Sequence, residues 1–130
     1  LIAVDTNVLA RAILQDDEDQ SPRARKIIEE LAAKDGVLIT TPVALELAWV
    51  LRRWKHSSEI YEILHHLLES DGVSFASSAI VGEALEIFRQ GKIDFGDALV
   101  LAEAQAHGAS QVMTIDAAFL KAERRAVAVP

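Results

Sequence analysis

Apolar residues along this chain come in two rhythms. Leu1–Val4, Val37–Thr40, Val73–Ala76 and Val112–Ile115 are short, largely apolar runs of strand length. Runs without a polar alternate suit strands covered on both faces. Between them the apolar positions recur at helical spacing. Asp5-Thr6-Asn7 reads as a turn capping a helix through about Leu14. Ser21-Pro22 reads as an N-cap followed by proline at the first helical position, opening a helix to Lys34 that Gly36 stops. Thr41-Pro42 repeats that signal for a helix carrying Glu46 and ending near Lys55. Ser57/Ser58 start a helix through Glu69, Asp71-Gly72 turn the chain, and a helix from about Ser78 to Gln90 ends at Gly91. Asp94 caps a helix over Phe95–His107, terminated by Gly108. Ala117–Glu123 forms a short helix and Val127–Val129 a last edge strand. This alternation predicts an α/β fold, a three-layer α/β/α sandwich around a central parallel sheet, as one domain over residues 1–130.

Four carboxylates punctuate that pattern. Asp5 ends the first apolar run, Glu46 lies within Pro42–Leu51, Asp97 opens Ala98–Ala102, and Asp116 closes Val112–Ile115. Charge near a core is costly unless paired or bound to metal, so four such positions point to one shared divalent cation. Asp5 and Asp116 follow strands, where ligands of open parallel sheets bind. Asp97 sits in the first turn of its helix, three residues after Asp94, on a face continued by Val100, Leu101 and Ala104. Each acid has a simpler use as well: Asp5 and Asp116 as helix caps, Asp97 as an acid serving the helix dipole. Glu46 has apolar neighbours on every side and no basic residue one turn away, which makes it the hardest to explain otherwise. Hard oxygen donors favour Mg²⁺ or Mn²⁺ over zinc.

Composition narrows the picture further. With 130 residues, 51% hydrophobic and 25% charged, the chain is expected to be globular. It has no Cys, which excludes disulfides, thiolate metal sites and cysteine nucleophiles and suits a reducing cytoplasm. No run reaches membrane-spanning length, and Leu1–Val4 is too short for a signal peptide, so a cytoplasmic protein without membrane contact is expected. The chain begins at Leu1, and a few residues including the initiator Met are expected to precede it.

The net charge of −7 argues against a polyanionic partner, except that metal would neutralise the four acids. Gln15–Asp19 reads as a solvated loop. Positive charge clusters at Arg23/Arg25/Lys26, Arg52/Arg53/Lys55 and Lys121/Arg124/Arg125, which permits RNA contact and equally serves helix ends or solubility. His56, His65, His66 and His107 lack metal-ligand spacing, and no nucleophile elbow or phosphate-binding glycine loop occurs. Trp49, Trp54 and Tyr61 with Leu64 and Leu68 are expected to pack a helix pair, any exposed share being available for a dimer interface.

Four segments, Val4-Asp5-Thr6-Asn7-Val8-Leu9, Ala44–Leu51 around Glu46, Asp94-Phe95-Gly96-Asp97-Ala98-Leu99 and Thr114-Ile115-Asp116-Ala117-Ala118-Phe119, resemble in order and spacing a PIN domain of the VapC toxin type. The resemblance covers essentially the whole chain. It implies a metal-dependent endoribonuclease, the toxin of a toxin–antitoxin pair, usually homodimeric and silenced by a cognate VapB-like antitoxin. Asp5, Glu46, Asp97 and Asp116 match the family's acidic quartet, Thr6 and Asn7 the polar pair after the first acid, and Thr114 the hydroxyl residue before the last. On this reading Asp5 and Asp97 are the principal ligands of one or two ions of Mg²⁺ or Mn²⁺. Glu46 and Asp116 are further ligands or orient water, with Thr6, Asn7, Asp94 and Thr114 in support. Ala117-Ala118 departs from relatives that often carry a charged residue and a second acid there, leaving Asp116 to act directly or through water.

Two alternatives stand beside it. A haloacid-dehalogenase-like phosphohydrolase also places an Asp after the first strand, but needs a second two residues on, where this chain has Asn7. It also needs a positioned lysine near the last acid, and Lys121 lies beyond that place. A non-catalytic PIN-like RNA-binding or adaptor protein would keep the fold; degenerate members lose acids, and here all four stand.

Overall fold

A computed structural model describes residues 1–130. The strands are short: β1 (Ile2–Ala3), β2 (Val37–Ile39), β3 (Val73–Phe75), β4 (Val112–Thr114) and β5 (Ala126–Ala128). Every pairing is parallel. Parallel neighbours need long crossovers, and helices supply each one. Between β1 and β2 run α1 (Thr6–Leu14) and α2 (Gln20–Ala33); between β2 and β3 run α3 (Thr41–Leu51) and α4 (Ser57–Glu69). The chain then continues through α5 (Ser78–Arg89) and α6 (Phe95–Ala106) to β4, and α7 (Ala117–Ala122) joins β4 to β5. The α/β architecture with a parallel central sheet flanked by helices is thus the one the alternation predicts. Its ladder is hydrogen-bonded in two parts, β1-β2-β3 and β4-β5.

Burial follows the sheet. In β2, the middle strand of its ladder, Val37 and Ile39 are fully buried. Leu9, Leu47, Leu51, Leu64, Val81, Leu85 and Leu101 bring α1, α3, α4, α5 and α6 into the same core. Gly72 closes the turn before β3 with φ +76°, and a Cβ there would fall 2.0 Å from the Ala32 carbonyl oxygen. The close approach lets the Gly72 carbonyl accept from Val37 N at 2.7 Å, tying the end of α4 to the start of β2.

Several boundaries differ from the sequence reading for identifiable reasons. Helix α2 begins at Gln20, so Ser21 is inside it, 1% exposed, rather than its cap. The Asp17 carboxylate takes the capping role, accepting from Gln20 N at 2.6 Å and Asp19 N at 3.0 Å, while Ser21 Oγ turns back to accept from Asp17 N. Those amides hold the Asp17 carboxyl below its ordinary value. Pro22 remains in the first turn, where no intrahelical amide is required. Helix α3 stops at Leu51, four residues before Lys55, because Arg52–Trp54 tighten into a turn whose Arg53 N and Trp54 N reach back only three residues. The last strand is Ala126–Ala128, one residue earlier than Val127–Val129.

The aromatic residues correct a packing expectation. Leu64 is buried and Leu68 packs against the core, but Trp49 is 52% and Trp54 64% exposed. Tyr61 stacks on His65 of its own helix, ring centroids 5.4 Å apart. The small residues Ala44 and Ala48 and the leucines of α3 already fill the core, and the indoles are left outside.

Candidate metal and catalytic site

Asp5 leaves β1 in extended conformation as the N-cap of α1, its Oδ1 accepting from Thr6 N at 2.8 Å. Thr6, the first helical residue, is 4% exposed, and its hydroxyl donates to Glu46 Oε2 at 2.9 Å. That bond links the residue next to Asp5 to the acid of α3, forty positions away along the chain. Glu46 is exposed, contrary to the apolar surroundings its sequence neighbours imply. On α3 the buried positions are Ala44, Leu47, Ala48 and Leu51, so Pro42, Glu46 and Trp49 share the outer face.

The second group of acids gathers at the start of α6. Asp94 is the N-cap, with Oδ1 accepting from Asp97 N at 2.8 Å and Oδ2 3.4 Å from Arg52 Nη1. Asp97 itself is half-buried, between buried Ala98 and Leu101 and exposed Val100, and no protein donor reaches its carboxylate. Its carboxyl is pushed above the ordinary value, first by burial and then by the charges of Asp94 and Asp116, with Arg52 opposing. Asp116 follows β4 as the N-cap of α7: Oδ1 accepts from Phe119 N at 2.9 Å, and Asp116 N donates to Thr114 Oγ1 at 3.0 Å.

The simpler capping roles of Asp5 and Asp116 are therefore real. Each occupies one carboxylate oxygen and leaves the other available. The expectation of charge embedded in the core is corrected, since Asp5, Glu46 and Asp116 are exposed and only Asp97 is partly enclosed. The chain ends the strands and starts the helices at the surface, which places capping carboxylates in water. Nor do the four acids converge as drawn. No three carboxylates or imidazoles stand close enough to hold one ion together. They form instead a pair joined through Thr6, Asp5 with Glu46, and a group in mutual electrostatic range, Asp97 with Asp94 and Asp116. Helices α1 and α3 pack together, as do α3 and α6, so the two groups belong to adjoining elements. Asn7 is exposed beside Val8 and Arg11, away from either group's hydrogen bonds.

The donor chemistry, oxygen ligands only, suits a hard divalent cation, and Asp97, raised first by burial and then by like charges, would be relieved of the latter by one. The residue that sequence reasoning assigned elsewhere is Trp49. It stands one turn from Glu46, and its Nε1 lies 3.7 Å from where a Cβ on Gly96, the neighbour of Asp97, would project. The i, i+3 spacing of Glu46 and Trp49 carried that signal.

The family model of the PIN domain matches residues 2–125. Neither a curated protein nor a solved structure is matched by the chain. No helix is long and apolar enough to cross a membrane.

Proposed function

The chain belongs to the PIN domain family, whose members are typically metal-dependent nucleases using a divalent cation, and on that premise we propose that it is an endoribonuclease, the toxin of a toxin–antitoxin pair of the VapC type. The observation that carries this reading is Asp97, a half-buried carboxylate without a protein donor whose proton affinity is raised by burial and then by two neighbouring acids. Catalytic sites are where such uncompensated charge accumulates.

Asp5 and Asp97 would hold the cation, with Glu46 and Asp116 as further ligands or water-orienting groups. Bound there, one or two ions of Mg²⁺ or Mn²⁺ supply Lewis-acid activation of water and offset the charge that builds on a phosphoryl group. Asp94 holds the first turn of α6 and so the direction of Asp97. Thr6 fixes the rotamer of Glu46 through its hydroxyl, and Thr114 anchors the backbone of Asp116. With the carboxylates engaged in holding the cation, water would be the nucleophile, and with the 3′-oxygen as leaving group hydrolysis would leave a 5′-phosphate and a 3′-hydroxyl. The protein acts in the cytoplasm as a homodimer and is silenced by a VapB-like antitoxin.

Two assays test this. Purified protein should cleave single-stranded RNA with Mn²⁺ and not with chelator, and should leave a small aryl phosphate intact. Induced expression should arrest growth, relieved by co-expression of a short neighbouring reading frame. Hydrolysis of the aryl phosphate in place of RNA would overturn the assignment.

A further inference from the structure

A cleft of about 230 Å³ opens beside the acids. Trp49 and Arg52 at the end of α3 form one wall, and the Gly91–Gly96 segment leading into α6 forms the other. Its floor is firm, because Phe88 and Phe95 beneath it are buried and meet edge to face at 5.9 Å. The indole of Trp49 stands one turn along α3 from Glu46 and close to Gly96 in the first turn of the Asp97 helix, more than half exposed at 52%.

Two cations stand at the cleft, Arg52 and Lys92. On α2, Arg23, Arg25 and Lys26 are each matched by an acid one turn away. Lys92 makes no ion pair. Arg52 faces Asp94 at 3.4 Å, with both side chains substantially exposed, an arrangement weak enough to exchange for a better anion. Lys92 also borders a second, more polar cleft of about 360 Å³ that contains Arg124. The two clefts together carry Arg52, Lys92, Arg124 and Arg125, and the acids among them, Asp94 and Glu123, each already face an arginine.

We propose that this cleft seats an unpaired nucleotide next to the scissile phosphate, its base stacked on Trp49 and its phosphates on Lys92 and Arg52, with the strand continuing toward Arg124. The inference rests on the ribonuclease reading and needs the nucleotide at the cleft to be unpaired, because a base inside a duplex has no free face to stack. Aromatic platforms beside cations are how single strands are held with little sequence preference. An apolar helix from a protein partner fits less well, since it would bury Lys92 without counter-charge.

The experiment uses the whole protein in chelator, where no cleavage occurs, and a single-stranded RNA of about eight nucleotides. Trp54→Phe leaves Trp49 as the sole indole, and its emission should be quenched on titration. Trp49→Ala should weaken binding about tenfold, as should Trp49→Leu, which keeps apolar bulk in case the alanine variant is poorly folded. Lys92→Ala should reduce the slope of log affinity against log salt by about 0.7. Undiminished affinity in both Trp49 variants, equal quenching by a blunt duplex, or an emission shift that follows protein concentration without RNA would overturn the proposal, the last in favour of a second copy covering the cleft. Cleavage in Mn²⁺ is read separately. Cleavage with kcat and KM unchanged in Trp49→Ala removes the nucleotide cleft and leaves the nuclease. Trp49 quenching by RNA without any cleavage keeps the cleft and removes the nuclease.

Discussion

The hydrogen bond from Thr6 to Glu46 joins fold to chemistry and can be dissected by substitution. Thr6→Val keeps the shape of a buried side chain and removes only the donor. A bond to an ionised acceptor contributes about 1.5–3 kcal/mol, but Glu46 is exposed and water would replace the lost partner, so a loss below that range, about 1 kcal/mol, is expected. Glu46→Ala acts from the other side. It leaves the buried Thr6 hydroxyl unpaired, at a cost of about 2 kcal/mol, because the first residue of α1 has no preceding helical turn whose carbonyl could accept instead. In the double variant both groups are gone, and a coupling of about 1 kcal/mol should appear in urea denaturation of the metal-free protein. Because the same bond orients Glu46, Thr6→Val should also weaken Mn²⁺ binding by about tenfold. Additivity of the two substitutions within about 0.3–0.5 kcal/mol, with Mn²⁺ affinity unchanged, would refute the link.

Other outcomes follow from the same geometry. Asp5→Asn and Asp97→Asn should each abolish RNA cleavage with the circular dichroism spectrum retained; metal-dependent activity in both purified variants would remove them from the site. A group whose folded pKa is raised adds stability below its unfolded pKa and loses it as pH rises through the folded value, so metal-free Asp97→Asn should match the wild type in acid and exceed it at neutral pH in thermal melts. Asp94→Ala and Asp116→Ala should each cost about 1 kcal/mol through lost caps, whereas the Asn variants, which still accept from the helix amides, should recover most of that in denaturation and none of any lost activity. Gly72→Ala combines a left-handed backbone with overlap on the Ala32 carbonyl and should destabilise by about 3 kcal/mol, visible as a lowered urea midpoint.

Much of the fold was legible because its signals are local. Gly36, Gly72, Gly91 and Gly108 all take positive φ at the turns where they were expected, and Asp94 caps the helix it was assigned. The start of α2 was misread because Ser21-Pro22 carries a cap signature, while the actual acceptor, Asp17, lies in an acidic stretch indistinguishable from a solvated loop. The exposure of Trp49, Trp54 and Glu46 was illegible for a different reason. Helix α3 is apolar nearly all round, and only the competition among its residues for a core already filled by Leu47 and Leu51 decides which face is left out. The acids themselves were visible as punctuation at element ends. Their division into two groups depends on how α1, α3 and α6 meet, which no spacing along the chain encodes.

The central claim is that a divalent cation binds at these carboxylates although they stand in two groups, and Mn²⁺-dependent melting tests it most directly. A ligand that binds only the folded state stabilises it by about 2.7 kcal/mol at a hundredfold excess over Kd, which for a domain of this size corresponds to a rise of about 10 °C. Wild-type protein should show that rise at neutral pH, it should shrink on acidification as protons compete for the carboxylates, and it should vanish in the Asp5→Asn/Asp97→Asn double variant. A wild-type melting temperature indifferent to Mn²⁺, or a rise that survives in the double variant, would contradict the claim and leave a non-catalytic adaptor of the same fold in its place.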